Sequence, residues 1–289
     1  MQLIFRYGFF KFQNISLALA DWQYGLLVLS TVLIAAGGYV INAVLDQNAA
    51  IENKPNKVIV GKSVSETTAY NLYIALNCVG VGIGFYLSNV ILKPGFASIF
   101  ILIAATLYLY ASSLKQMMLI GNGIVALLLS FSVLIIGIFD LYPATASDNQ
   151  QQMAVVFSVL LDYALFAFIL NFIRQIIKDL EDVNGDYNHG ISTLPVTLGV
   201  NRTSKIVFAL SFVPIIAVLF YINNYLFQLQ FVTLYLMLFV LAPLLYFTIK
   251  IWSAKTKNDF TKLNVLLKWI LLFGIGSIAV ITINMNYNA

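Results

Sequence analysis

Eight stretches of this chain are long and apolar, and few charged residues interrupt them. A helix needs roughly 20 such residues to cross the hydrocarbon core of a bilayer. Spans are read at 23–46, 69–91, 95–111, 117–142, 153–178, 204–222, 230–252 and 264–285, with breaks where Pro, Gly, Asn and charges gather. Only 10% of the 289 residues are charged, whereas an average soluble domain has about 25%. Sixteen basic and twelve acidic side chains are too few to cover a soluble globule of this size. The composition therefore excludes a cytosolic domain, a disordered chain and a nucleic-acid binder. A β-barrel would show short alternating segments instead of continuous runs. The expected fold class is an all-α integral membrane protein, with residues 1–289 forming a single polytopic domain.

The first twelve residues, MQLIFRYGFFKF, are apolar but too short to cross. They lack the long apolar core and small-residue cleavage site of a signal peptide. Residues 1–12 read as the remnant of a first spanning helix, which makes a bundle of nine transmembrane helices with the first truncated or partial. A start site downstream of the native one would account for this. The formal charge of +4 points to orientation more than to an acidic partner. Counting the partial segment as the first span, the even-numbered loops hold Lys54, Lys57, Lys62, Lys115, Arg174, Lys178, Arg202, Lys205, Lys250, Lys255, Lys257 and Lys262. The other side keeps Arg6, Lys11, Lys93 and Lys268, and its loop 140–151 has two acids and no base. The positive-inside rule places the twelve-base side in the cytoplasm, in a bacterial or archaeal-type inner membrane. The basic stretch from Lys250 to Lys262 suits contact with anionic membrane lipid. Cys78 is the sole cysteine, so no internal disulfide forms.

The stretch RQIIKDLEDVNGDYNHGISTLPVTLG (174–199) carries four of the twelve acids within eight residues. At about 100° per residue, Asp179, Asp182 and Asp186 share an arc of roughly 60°. Arg174 and Lys178 are expected to lie beside them, one and two turns earlier, while Glu181 points away. Carboxylates crowded on one stripe repel each other unless a cation joins them. Oxygen ligands of this kind suit Mg²⁺, which takes one or two carboxylates together with substrate phosphates. Nearby bases suit the remaining phosphate charge. The plain alternative is a solvated helix end with pairs such as Lys178–Asp182. Residues 179–203 are expected to form the loop carrying this block. A second loop, 46–68, opens on the same side, four crossings away. Asn42 and Asp46 lie one turn apart just before it, and Asn53, Pro55 and Lys57 follow. A helix C-terminus frayed into a turn would read the same way.

Together these segments resemble the UbiA-type intramembrane prenyltransferases, within them the geranylgeranylglycerol-phosphate geranylgeranyltransferase-like branch. KDLEDVNGD (178–186), TLP (193–195) and Gly199 match that superfamily's second Asp-rich block, and YASSLKQMMLIGN (110–122) is similar to its Tyr-x-x-x-x-Lys and Gly-Asn elements. Its first motif reads approximately N-D-x-x-D-x-x-x-D-x-x-N-x-P. Asn42, Asp46, Asn53 and Pro55 match it, while Ala43 and Ala50 stand where the family usually has acids. Glu52 is near but out of phase, and Gln175 replaces a residue that is often Glu.

The resemblance implies a UbiA-like bundle that transfers a prenyl group from a polyprenyl diphosphate donor to a lipid-soluble acceptor, with Mg²⁺ as cofactor. Asp179, Asp182 and Asp186 would hold one ion, and Asp46 with Asn42 would hold another more weakly. Lys115, Arg174 and Lys178 would contact phosphate oxygens, and Asn53 and Tyr110 would line the substrate site. The rival readings are a non-catalytic member that binds prenyl lipid, because the first motif has lost carboxylates, and a transporter. Acids at helix ends, with no clear inverted repeat, count against the transporter. Asp162, well inside a span, faces either the central cavity or another helix. His189, the single histidine, is read as solvated.

Overall fold

The structure, a computed structural model, describes residues 1–47 and 58–288, with side chains through residue 285. In a bilayer each backbone N–H and C=O must find its partner within the protein, which long apolar segments achieve as helices. Among the described residues, eight helices are long and apolar enough to cross: α2 (Asp21–Leu45), α3 (Glu66–Val90), α4 (Pro94–Ser112), α5 (Ile120–Ala144), α6 (Gln150–Asn188), α7 (Val200–Leu226), α8 (Gln230–Ser253) and α9 (Lys257–Met285). A short helix, α1 (residues 2–10), precedes them. At 1.5 Å per residue it is about 14 Å long, under half of the hydrocarbon core. The expected nine-helix bundle is thus eight full spans and one short helix.

The helices build two apolar cores that share α6. The first half of α6, through Met153, Val156 and Leu160, packs with α1–α5. Its second half, through Leu170, Ile173, Ile177 and Leu180, packs with α7–α9. Small residues allow the tightest approach within the first core, as is usual between membrane helices. The Ser30 hydroxyl of α2 donates to the Gly80 carbonyl of α3 at 2.7 Å. A Cβ on Gly80 would come within 2.8 Å of Ile34 Cγ1.

Two expected boundaries move. Residues 179–203 are not all loop, because α6 stays helical through Asn188. It spans 39 residues, about 58 Å, so its last turns run on past the expected end of the span at 178. Leu180 explains the continuation: it is buried against α7–α9, and a frayed end would expose it. The helix stops where Gly190 takes a left-handed φ of +67°, and a short helix (Leu194–Leu198) leads into α7. The expected 46–68 loop gives way to α3 at Glu66, where the Ser65 hydroxyl accepts from Thr68 N–H at 3.2 Å. Residues 48–57, with Ala50, Glu52, Asn53 and Pro55, lie outside the described residues.

Because successive spans alternate in direction, the C-terminal ends of α2, α4, α6 and α8 meet the N-terminal ends of α3, α5, α7 and α9. At the other end of the bundle, Arg6 of α1 is 2% exposed and forms an ion pair with Asp140 of α5, itself fully buried. Asp140 also accepts from Leu19 N–H at 3.0 Å, while Arg6 reaches Asp21 at 3.2 Å and lies over the Tyr24 ring.

Candidate active site

Asp179, Asp182 and Asp186 ride on the last turns of α6, as their spacing predicts. Asp186 is only 9% exposed. Asp179 Oδ2 accepts from Asn122 Nδ2 of α5 at 2.7 Å. That donor is an amide, so it orients the carboxylate without neutralising its charge. The Thr193 hydroxyl sits against Asp186 from the following turn. Lys178 is exposed at the edge of the stripe, close enough for its charge to act on Asp179 and Asp186.

The two motifs share one site. Tyr110 of α4 lies within electrostatic reach of Asp179, Asp46 and Asp186, and Asp46 within reach of Asp186. Tyr110 is thus near both the acidic block and the end of α2. Asp46 caps α2, its N–H bonded to the Asn42 carbonyl at 3.0 Å. Its carboxylate is ion-paired to Lys115, which projects from the turn Leu114–Gln116 after α4. Read from sequence as a metal ligand, Asp46 thus carries an ammonium in this structure. Asn42 is half-buried one turn earlier. Asn53 lies outside the described residues.

Arg174 departs from its expected place beside the stripe. Its Nε donates to Asn264 Oδ1 of α9 at 3.1 Å, and Asn264 Nδ2 donates to Glu181 Oε2 at 3.1 Å. The reason is helical register. Arg174 and Glu181 are seven residues apart and fall within about 20° of each other, facing α9, whereas Asp179 is about 140° away. Arg174 ties α6 to α9. Sequence reasoning gave no role to Asn122, Asn264 or Thr193. Asn122 lay in the Gly-Asn element, but nothing in one sequence shows which helix it faces. Asp162 lines a cavity of about 230 Å³ with Tyr163, Tyr221 and Ser277. Seventeen residues along α6, about 25 Å, separate it from Asp179, so it is not part of this site.

Among the described residues, no three His, Cys, Asp or Glu side chains converge into a ready cage for a metal ion. Mg²⁺ does not need one, because it keeps waters and takes phosphate oxygens beside one or two carboxylates. A stripe with one acid on an amide and another buried under a hydroxyl fits an ion that arrives with its phosphate.

The comparisons with known proteins agree with this geometry. The model of the UbiA prenyltransferase family matches residues 13–275. The digeranylgeranylglyceryl phosphate synthase of Saccharolobus solfataricus is 32% identical over 254 residues, covering 87% of this chain and 82% of that one. The Korarchaeum cryptofilum protein of the same name is 31% identical over 203 residues, 70% of this chain and 65% of its own length. Among solved structures, an apo UbiA homolog from Aeropyrum pernix K1 superposes with a TM-score of 0.70 at 16% identity, covering 92% of this chain and 91% of that one. A UbiA homolog from Archaeoglobus fulgidus bound to DMAPP and Mg²⁺ gives 0.57 at 16% identity, covering 96% and 94%. At such identities these structures speak for the fold. With the family model spanning most of its length, this integral membrane protein belongs to the UbiA prenyltransferase family.

Proposed function

We propose that this protein transfers a prenyl group from a polyprenyl diphosphate to a lipid-soluble acceptor, using Mg²⁺ held by Asp179, Asp182 and Asp186. The observation that carries the reading is the turn between α4 and α5, where Lys115 pairs with Asp46 and Asn122 bonds Asp179, so that both motifs meet at one end of an apolar bundle. When bound, Mg²⁺ supplies charge that stabilises the departing diphosphate. The chain's residues do the rest. Asn122 fixes the orientation of Asp179, and Lys115 and Lys178 offer N–H donors to phosphate oxygens. The allylic C–O bond breaks with its electron pair leaving on the diphosphate. The helices keep water from the allylic carbon until a new bond to the acceptor oxygen forms and the acceptor's proton departs.

The relatives' name suggests the first pair to test. Joining a second geranylgeranyl group to a geranylgeranylglyceryl phosphate makes digeranylgeranylglyceryl phosphate. Purified protein with Mg²⁺, labelled polyprenyl diphosphates of several lengths and this acceptor or a membrane-lipid extract should yield a prenylated lipid. Binding of the diphosphate with no product from any pair would support the prenyl-lipid-binding reading instead. Flux across a proteoliposome without product would support a transporter.

The excess of basic residues on the motif side supports a site at the cytoplasmic face. Single cysteines at Asn188 and Ser147, in a Cys78→Ser background, test this. In intact cells the first should resist external thiol reagents and the second should label. The reverse pattern would overturn the orientation.

A further inference from the structure

We propose that the cavity beside Asp162 is a second lipid site, which takes the hydroxyl end of a long-chain lipid alcohol from the bilayer. It stands apart from the transfer site and does not depend on the function argued above.

Helices α6, α7, α8 and α9 enclose this cavity of about 230 Å³, and its wall is mostly apolar. The space has a local cause. Helix α7 takes wide i→i+5 turns over Ile222–Leu226, and α8 does so over Met237–Leu241. Such turns carry an extra residue, nest less closely than α-helical ones and often mark functional places. Tyr225 and Val240 lie on them and line the cavity. Helical register separates the cavity from the acidic stripe. At about 100° per residue, Asp162 sits about 100–160° around α6 from Asp179, Asp182 and Asp186. It therefore faces another neighbour as well as another depth.

Asp162 is the polar group in this cavity with an unmet demand. The Ser277 hydroxyl donates to the Gly274 carbonyl at 2.6 Å, so the Tyr163 hydroxyl, 2.6 Å from Ser277 Oγ, is the donor of that pair. These two side chains satisfy each other. Asp162 forms no hydrogen bond or ion pair among the described residues. The Tyr221 phenol lies within its electrostatic reach without bonding to it.

Depth decides what can meet that carboxyl. Asp162 is nine residues inside the apolar run that starts at Met153, about 14 Å along the helix. That is close to the middle of a hydrocarbon core about 30 Å thick. An ionised acid is costly there, and the phosphate of a phospholipid stays at the interface. An uncharged carboxyl offers one O–H donor and an acceptor, and an alcohol offers the same two groups in return. The cavity is smaller than the roughly 300–1,000 Å³ of a site that swallows a whole drug-sized ligand. Only the head end of a lipid fits, and its chain trails out past Leu165, Phe220 and Tyr225, which are exposed on the flank of the bundle.

Photolabelling tests this. Purified protein in detergent is irradiated with geranylgeraniol carrying a diazirine on its chain, and labelled peptides are read by mass spectrometry. Labels are expected on α6 and α7 beside the cavity, and Asp182→Asn should be labelled there like the native chain. Asp162→Leu should lower this labelling about tenfold, the scale of one hydrogen bond. Asp162→Asn, uncharged but with both a donor and an acceptor, should keep most of it. Unlabelled geranylgeraniol or a straight-chain alcohol should displace the probe, and the stronger competitor names the preferred chain. The hydrocarbon of equal length should not displace it. If Asp162→Leu fails to fold, the hydrocarbon and Asp162→Asn still decide. Equal labelling of Asp162→Leu and the native chain, displacement by the hydrocarbon, or labels confined to peptides around Asp179 would overturn the inference. Loss of labelling in Asp162→Asn would overturn it too, because a site that needs the charge holds a cation and not an alcohol.

Discussion

The two ends of this bundle use the same chemistry for opposite purposes. At one end Arg6, Asp21 and Asp140 close on each other, with Leu19 N–H and the Leu19 carbonyl completing the set. Cations and anions there are matched within the protein, and the arrangement pins α1 to α5. At the other end Asp179, Asp182 and Asp186 share a stripe, and Asp179 accepts from the Asn122 amide. Asp46 is paired to Lys115 by a salt bridge of the closed kind. The difference shows what separates a structural ion pair from a binding site. A latch compensates its charges itself, whereas a site leaves charge to be compensated by a ligand.

The sharpest way to break this comparison is to neutralise one acid at each end. Asp140→Asn takes the buried carboxylate from Arg6, leaving it the more exposed Asp21, and should cost about 3 kcal/mol of stability, seen as a large fall in thermal stability in detergent. Asp182→Asn should leave thermal stability near that of the native protein and lower prenyl transfer by roughly 10²-fold or more, the scale of losing one electrostatic contribution to a transition state. If Asp182→Asn unfolds the protein while Asp140→Asn is silent, the two roles have been assigned to the wrong ends.

Much of this contrast was legible in the sequence. The eight spans could be placed because hydropathy reports the bilayer directly, and the acidic stripe because helical periodicity continues past the apolar run. Arg174 was misplaced because proximity in sequence stood in for direction on the helix, and seven residues of register put it with Glu181 instead. Asn122 and Asn264 could not be found, since their partners are 57 and 83 residues away and an Asn near a helix start has many uses. Nor does sequence show that Lys115 meets Asp46 across 69 residues. The same holds for Arg6, whose partner in α5 is 134 residues distant. Ion pairs between spans depend on how the helices are packed, which hydropathy does not record.

A finer test concerns the donors that hold each acid. At the closed end Asp140 takes a backbone N–H from Leu19, which no substitution short of proline removes. At the open end Asp179 takes the side-chain amide of Asn122 at 2.7 Å, so its orientation can be altered while the fold stays intact. Partners that orient metal ligands typically contribute 10–100-fold in metal affinity or activity. Asn122 touches a carboxylate and not the reacting atoms, so its substitution belongs at the lower end of that range. Asn122→Ala should raise the Mg²⁺ concentration needed for half-maximal transfer about tenfold. Turnover at saturating Mg²⁺ should recover most of the loss, because all three carboxylates remain. Asn122→Ser, which keeps a shorter donor, should fall between the variant and the native protein. Thermal stability should change little, since Asn122 is only partly buried and Asp179 can turn to water. If the Mg²⁺ curve is unmoved while the melting temperature drops, Asn122 is a latch like the one at the other end, and the contrast between the two ends fails at that residue.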